Sequence, residues 1–176
     1  IAGHGAGAII LKSVFEEQIN QEASRCIDDS YPEETDYIQN YVRAHVIQKY
    51  IDLIKSAKAC LDIPVIASIN CLRDGEWISF ACELERAGAD ALELNAFILP
   101  TDEFMESAGV ENLYFDIVKH VKSVVKIPVI VKIGRYFTNL SAFVSKLRAY
   151  GADAVTLFNR FYEPDIDIER LVVGAA

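Results

Sequence analysis

Histidine is scarce in this chain, and the three present, His4, His45 and His120, lie on different segments. Four cysteines, Cys26, Cys60, Cys71 and Cys82, show no CxxC spacing. That combination gives a zinc site little support and suits reduced thiols in a cytoplasmic protein rather than a disulfide framework. Basic residues are also in deficit, with 17 Lys and Arg against 26 Asp and Glu and a net charge of -9. The resulting pI near 4.8 argues against a nucleic-acid or anionic-membrane partner, because the long-range field repels polyanions. No apolar run approaches the ~20 residues of a membrane span, and the N-terminal residues lack the charged-then-apolar layout of a signal peptide. Neither GxGxxG nor GxxxxGK[ST] occurs, which removes the common phosphate-cradling loops.

What is present is a chain of 176 residues, 52% hydrophobic and 24% charged. Such a composition excludes disorder and indicates one globular domain or a large piece of one. The apolar run Ala6 to Ser13 reads as a first strand. A polar excursion follows from Glu16 to Tyr50, with Tyr31-Pro32 as a turn and a helical pattern resuming after it, and Tyr50, Ile51, Ile54, Ala57 and Leu61 then supply a helical stripe. Ile63-Pro64 opens a strand over Val65 to Asn70. Asp74 is the expected N-cap of a helix that turns Trp77, Phe80, Ala81 and Leu84 inward and ends at Gly88. Ala91 to Asn95 forms the next strand, with Glu93 and Asn95 on one face and Leu92 and Leu94 on the other. A helix over about Asn112 to Val125 with Ile117, Val121 and Val124 inward leads through Ile127-Pro128 to another strand. The last helix runs from Leu140 to Tyr150, capped by Asn139 and closed by Gly151, before a strand over Ala154 to Asn159. Tyr162 to Asp167 reads as an acidic turn.

An internal repeat runs through this order. IPVIASIN from Ile63 returns as IPVIVKIG from Ile127, and AGADALELN from Ala87 returns as YGADAVTLFN from Tyr150, about 64 residues later. Five strands alternating with helices imply a parallel α/β sheet with right-handed crossovers. A doubly wound sheet or a (β/α)8 TIM barrel satisfies that order. The barrel is favoured because polar residues close the five strands: Lys12, Asn70, Asn95, Lys132 and Asn159. A complete barrel needs ~200 residues or more, so residues 1 to 176 read as a truncated one, with about five consecutive βα units, strands two to six of eight. Two exposed strand edges are then expected, and with them self-association, a homodimer included.

Buried amides, carboxylates and ammoniums need partners. Glu93 therefore reads either as an interior partner of Lys132 or Lys12 or as part of a ligand site, and Asn70 either as a turn residue or as a ligand contact. Lysines ending apolar strands call for something anionic or polar to meet them. Arg135 and Arg160 follow two strand ends and read as solvated loop residues.

GAGAIILKS at residues 5 to 13, ALELN at 91 to 95, IPVIVKI at 127 to 133 and AVTLFNRFYEPDID at 154 to 167 together resemble the class 1 dihydroorotate dehydrogenases, most closely the dihydroorotate dehydrogenase-like proteins. That resemblance implies an FMN-dependent oxidoreductase oxidising dihydroorotate to orotate in pyrimidine biosynthesis, or acting on a related small molecule. It implies flavin contacts from Lys12, Ser13, Asn95, Lys132 and Asn159, and substrate contacts from Asn70, Asn95 and Asn159. An ammonium beside the pyrimidine end of FMN stabilises the reduced anionic flavin, and asparagine answers both donors and acceptors of a pyrimidine ring.

One stretch departs from the family. Where the resemblance implies a Cys or Ser base and a following asparagine, the chain has Ile98 and Pro100. An isoleucine cannot remove a proton, and a missing general base typically costs ~10²- to 10⁴-fold in rate. Cys71, after the third strand, is the candidate substitute. The alternatives are a flavin oxidoreductase acting on another unsaturated carbonyl compound, or a non-catalytic barrel serving binding or assembly.

Overall fold

Two strands of this chain open on an Ile-Pro step and two on a Gly-Ala-Asp step. Proline cannot donate to a ladder and so marks where pairing begins. The computed structural model describes residues 2–15, 35–70, 74–98, 104–160, 164–169 and 172–175. Its strands in chain order are β1 (Ile9–Ile10), β2 (Val14–Phe15), β3 (Val65–Asn70), β4 (Ala91–Asn95), β5 (Val129–Ile133), β6 (Ala154–Leu157), β7 (Pro164–Asp167) and β8 (Val172–Ala175). The helices are α1 (Thr35–Cys60), α2 (Asp74–Arg86), α3 (Ser107–Val124) and α4 (Leu140–Ala149).

β1, β3, β4, β5 and β6 lie side by side in that order, all parallel, with β2 pairing further along β3. β1 and β2 are thus two short pieces of one strand position. A doubly wound sheet reverses its strand order at a switch point, whereas here neighbours in sequence remain neighbours in space. Five parallel strand positions alternating with helices form a truncated (β/α)8 barrel.

Period-2 alternation decides what each strand offers to its two faces. Leu92 and Leu94 join Val118, Val121, Val129, Val131, Phe143 and Leu147 in one apolar cluster between sheet and helices. All of β4 is buried, because both its faces are covered. Tyr114, Phe137 and Phe143 interlock beneath the loops, with Phe137 and Phe143 stacked at 3.9 Å between ring centres. The last parallel strand is less protected, with Leu157 54% and Phe158 37% exposed.

Several boundaries differ from the sequence reading. The first strand is broken at Leu11 to Ser13, which frees the Ser13 side chain for the interior. Helix α1 runs from Thr35 to Cys60, so the helical pattern expected to resume after Tyr31-Pro32 and the stripe from Tyr50 belong to one helix. Asp74 is the first helical residue of α2 instead of its cap, α3 starts at Ser107, and β6 ends at Leu157. Val124 faces outward at the last turn of α3. The segment taken for an acidic turn contains β7, paired antiparallel with β8, Asp165 opposite Gly174 and Asp167 opposite Val172. Acidic residues read as a turn in sequence, whereas backbone pairing with β8 makes the segment a strand. Trp77 and the turn at Tyr31-Pro32 lie outside the residues whose side chains are described.

The expected helix ends hold. Gly88 and Gly151 follow α2 and α4 with φ of +98° and +112°, a conformation that favours glycine. Asn139 caps α4, its Oδ1 accepting from the Ala142 N–H at 3.0 Å.

Candidate functional site

Three polar side chains are buried among the described residues, Ser68, Glu93 and Asn95, at 0%, 1% and 4% exposure. All three project from the interior face of adjacent strands. The register sets Ser68 beside Glu93, Asn95 beside Lys132 and Lys132 beside Thr156. A carboxylate, an ammonium, two amides and three hydroxyls are thereby gathered across β2 to β6.

They connect as a chain of hydrogen bonds whose direction can be read. Glu93 is an acceptor only when ionised; its Oε1 takes the Ser68 hydroxyl at 2.9 Å and its Oε2 the Thr156 hydroxyl at 2.9 Å. Ser68 has spent its proton on Glu93, so in the 2.7 Å contact between the two serines Ser13 donates. Ser13 in turn accepts from Asn95 Nδ2 at 3.2 Å, and Asn95 Oδ1 accepts from Asn159 Nδ2 at 2.6 Å. The Arg160 N–H donates to Asn159 Oδ1 at 2.9 Å. All links therefore run from Arg160 toward the buried carboxylate. Among the described residues, each amide spends one Nδ2 hydrogen within the chain and keeps the other.

Lys132 stands beside this chain with its Nζ 3.8 Å from Glu93 Oε1 and its side chain 26% exposed. That distance makes an ion pair but no hydrogen bond, so the ammonium remains a donor. Tyr50, on α1, pins the same place from the helix side. Its hydroxyl donates to the Ser68 carbonyl at 3.1 Å and accepts from the Ser68 N–H at 3.0 Å. Burial pushes the Tyr50 phenol up to about 12, with the backbone bond to Ser68 opposing and the nearby charge of Glu93 adding.

Of the residues picked from sequence, Ser13, Asn95, Lys132 and Asn159 are brought into this one constellation. Lys12 sits next to Ser13 with its side chain exposed, and Asn70 is half-buried at the end of β3. Cys71 lies outside the described residues. Ile98 packs its side chain on the apolar core, and its N–H donates to the Tyr114 hydroxyl at 3.3 Å. Burial raises the pKa of that phenol. Sequence reasoning missed Ser68, Thr156 and Tyr50. The repeat held the signal for two of them, because Ser68 stands in IPVIASIN where Lys132 stands in IPVIVKIG, and Thr156 replaces Glu93 between the GAD phrases.

Among the described residues no group of three or more His, Cys, Asp and Glu could hold a metal ion, and no helix is long and apolar enough to cross a membrane. A cleft of about 580 Å³ lies between α1 and α2, lined by Ile47, Ile51, Lys55, Glu83 and Arg86 among others. It belongs to the helical layer, away from the polar strand ends.

No protein-family model matches the chain. Curated relatives do. A protein of Aeropyrum pernix assigned as a dihydroorotate dehydrogenase A (fumarate) is 38% identical over 110 residues, 60% of this chain and 35% of that protein. The catalytic subunit of dihydroorotate dehydrogenase B (NAD(+)) of Thermoplasma volcanium is 32% identical over 119 residues, 67% of this chain and 38% of that one. Its counterpart in a Geobacillus species is 28% identical over 125 residues, 70% of this chain and 40% of the relative. The match thus spans less than half the length of each relative. Among solved structures, dihydrodipicolinate synthase from Oceanobacillus iheyensis overlaps with a TM-score of 0.38 at 11% identity, covering 64% of this chain and 50% of the other. The chain is thus similar in sequence to dihydroorotate dehydrogenases of both the A and the B type.

Proposed function

We propose that this chain forms part of the flavin- and substrate-binding interior of a dihydroorotate dehydrogenase-like, FMN-dependent oxidoreductase, corresponding to strands two to six of its barrel. The observation that carries this reading is the directed chain from Asn159 through Asn95, Ser13 and Ser68 to Glu93, with Lys132 beside it. Its acceptor atoms each take a hydrogen bond within it, whereas among the described residues Lys132 and one Nδ2 hydrogen each of Asn95 and Asn159 remain for a ligand. Such a donor set suits the acceptor-rich pyrimidine edge of a flavin or a pyrimidine carboxylate. Lys132, Asn95, Asn159 and Ser13 would hold the flavin, joined by Lys12, while Asn70, Asn95 and Asn159 would meet the substrate. FMN, when bound, supplies the hydride acceptor for oxidation of a CH–CH bond.

Ile98 favours a second reading. Its side chain is packed on the core and carries no proton acceptor, so oxidation of dihydroorotate lacks a base at that position. A different unsaturated carbonyl substrate, or a barrel kept for binding alone, follows from that departure.

The test is spectroscopic and uses the full polypeptide. A bound-flavin spectrum that bleaches on anaerobic addition of dihydroorotate is expected under the first reading. A flavin spectrum that dihydroorotate leaves unchanged selects another substrate. A colourless protein that takes up no added FMN refutes the flavin reading.

A further inference from the structure

We infer that Glu93 is a positioning residue that acts on the ligand through Lys132, an inference that rests on the flavin reading above. A carboxylate at 1% exposure is costly to bury unless its charge and lone pairs are matched. Here the matching comes from three different strands: Ser68 on β3, Lys132 on β5 and Thr156 on β6. Two of these contacts are hydrogen bonds at 2.9 Å, which lock the carboxylate in place. The third is the 3.8 Å ion pair, which draws the ammonium toward a fixed point without occupying its N–H groups.

The difference in geometry is the substance of the inference. Had Lys132 donated directly to Glu93, one of its three hydrogens would be consumed. Had no carboxylate been present, a flexible four-carbon side chain with 26% exposure would drift toward solvent. Held by attraction alone, the ammonium stays at the strand ends beside Asn95, its neighbour in register, with its donors available. Ser68, clamped on its backbone by Tyr50 and through its hydroxyl to Ser13, ties the carboxylate to α1 and to the residue just before β2. Preorganised charge of this kind is what a site needs when a bound ring gains negative charge.

Glu93→Gln is the probing substitution, since the amide keeps the size, can accept from one hydroxyl and donate to the oxygen of the other, and removes the charge. The first readout needs no ligand: the Lys132 side-chain ammonium resonance in the ¹⁵N-labelled chain. Glu93→Gln is expected to shift or broaden it, and an unchanged resonance overturns the inference. The second readout is the affinity of the full polypeptide for dithionite-reduced FMN relative to oxidised FMN. Glu93→Gln is expected to lower that ratio about fivefold or more, the size of a modest coupling between sites. In a Lys132→Met background the same substitution should no longer lower it. A ratio that rises means that Glu93 repels the ligand directly, and a fall that persists without Lys132 means a general structural role; either overturns the inference. Failure of the unsubstituted protein to bind FMN refutes the flavin reading and the effect on the ligand together, while the ammonium resonance still reports whether Glu93 holds Lys132.

Discussion

Asp153 stands in the second half of the repeat where Asp90 stands in the first, and each ties a helix end to the start of a strand. Asp90 accepts from Lys58 Nζ at 2.7 and 2.8 Å and from the Val65 N–H at 2.7 Å. Asp153 accepts from Lys122 Nζ at 2.6 Å and from the Val129 N–H at 2.8 Å. Lysine, strand and aspartate recur together, so the duplicated phrases encode a clamp at the strand N-termini as well as a polar face at the C-termini.

The clamps predict an acid-sensitive stability. The Lys58 hydrogen bond first, then the Val65 N–H, holds the Asp90 carboxyl below its ordinary range; Lys122 and Val129 do the same for Asp153. A depressed folded-state pKa contributes stability that is present above the unfolded value of about 3.9 and is lost as pH falls through the folded value. Urea midpoints measured from neutral to acid pH are expected to fall below about pH 4. Asp90→Ala and Asp153→Ala should each cost about 1 kcal/mol at neutral pH, modest because both side chains are more than a third exposed, and should flatten that acid limb.

Tyr50 predicts the opposite, alkaline, limb. Its folded pKa of about 12 lies above the unfolded value near 10, so its contribution is complete below pH 10 and disappears as pH rises through the folded value. Tyrosinate absorbance should contain a late component that Tyr50→Phe removes. The same substitution should cost about 1–3 kcal/mol in urea unfolding, because the Ser68 N–H and carbonyl lose their buried partner.

Glu93→Ala is expected to destabilise by about 3 kcal/mol, leaving the Ser68 and Thr156 hydroxyls without their acceptor and opening a cavity at the strand ends. Glu93→Gln should cost much less. Equal unfolding midpoints for the two variants would contradict the network as described.

The two positive-φ glycines should respond unequally to alanine. At Gly88 an added Cβ meets nothing within 4 Å, so only backbone strain of about 1 kcal/mol is expected. At Gly151 the same atom would approach Lys122 Cγ at 3.0 Å and Cβ at 3.4 Å, disturbing the lysine that grips Asp153. Gly151→Ala should therefore be the more damaging of the pair in thermal unfolding.

Ile98→Cys addresses the missing base. In the full polypeptide it is expected to speed dihydroorotate-dependent flavin bleaching at least about tenfold, toward the 10²- to 10⁴-fold that general bases typically supply. No acceleration would indicate that proton removal is not limited at this position.

Strand order and strand-end chemistry were legible in sequence, because Ile-Pro, Gly-Ala-Asp and period-2 alternation are local signals that one short segment carries whole. Asn95, Lys132 and Asn159 could be named from them as polar strand ends, whereas the site role of Ser13 and the departure at Ile98 rest on the resemblance to the dihydroorotate dehydrogenases. The β7–β8 ribbon was not legible, since its acidic residues read as a turn.

Sequence alone determined that a carboxylate and an amide would share one face of β4. Only the tertiary structure decided what they meet, because Ser13, Ser68, Lys132 and Thr156 reach them from other segments through strand register, with Tyr50 holding Ser68 from α1. Register is a non-local quantity, set by the pairing of whole strands. It places Lys132 at 3.8 Å from Glu93, near enough to be held and too far to be consumed.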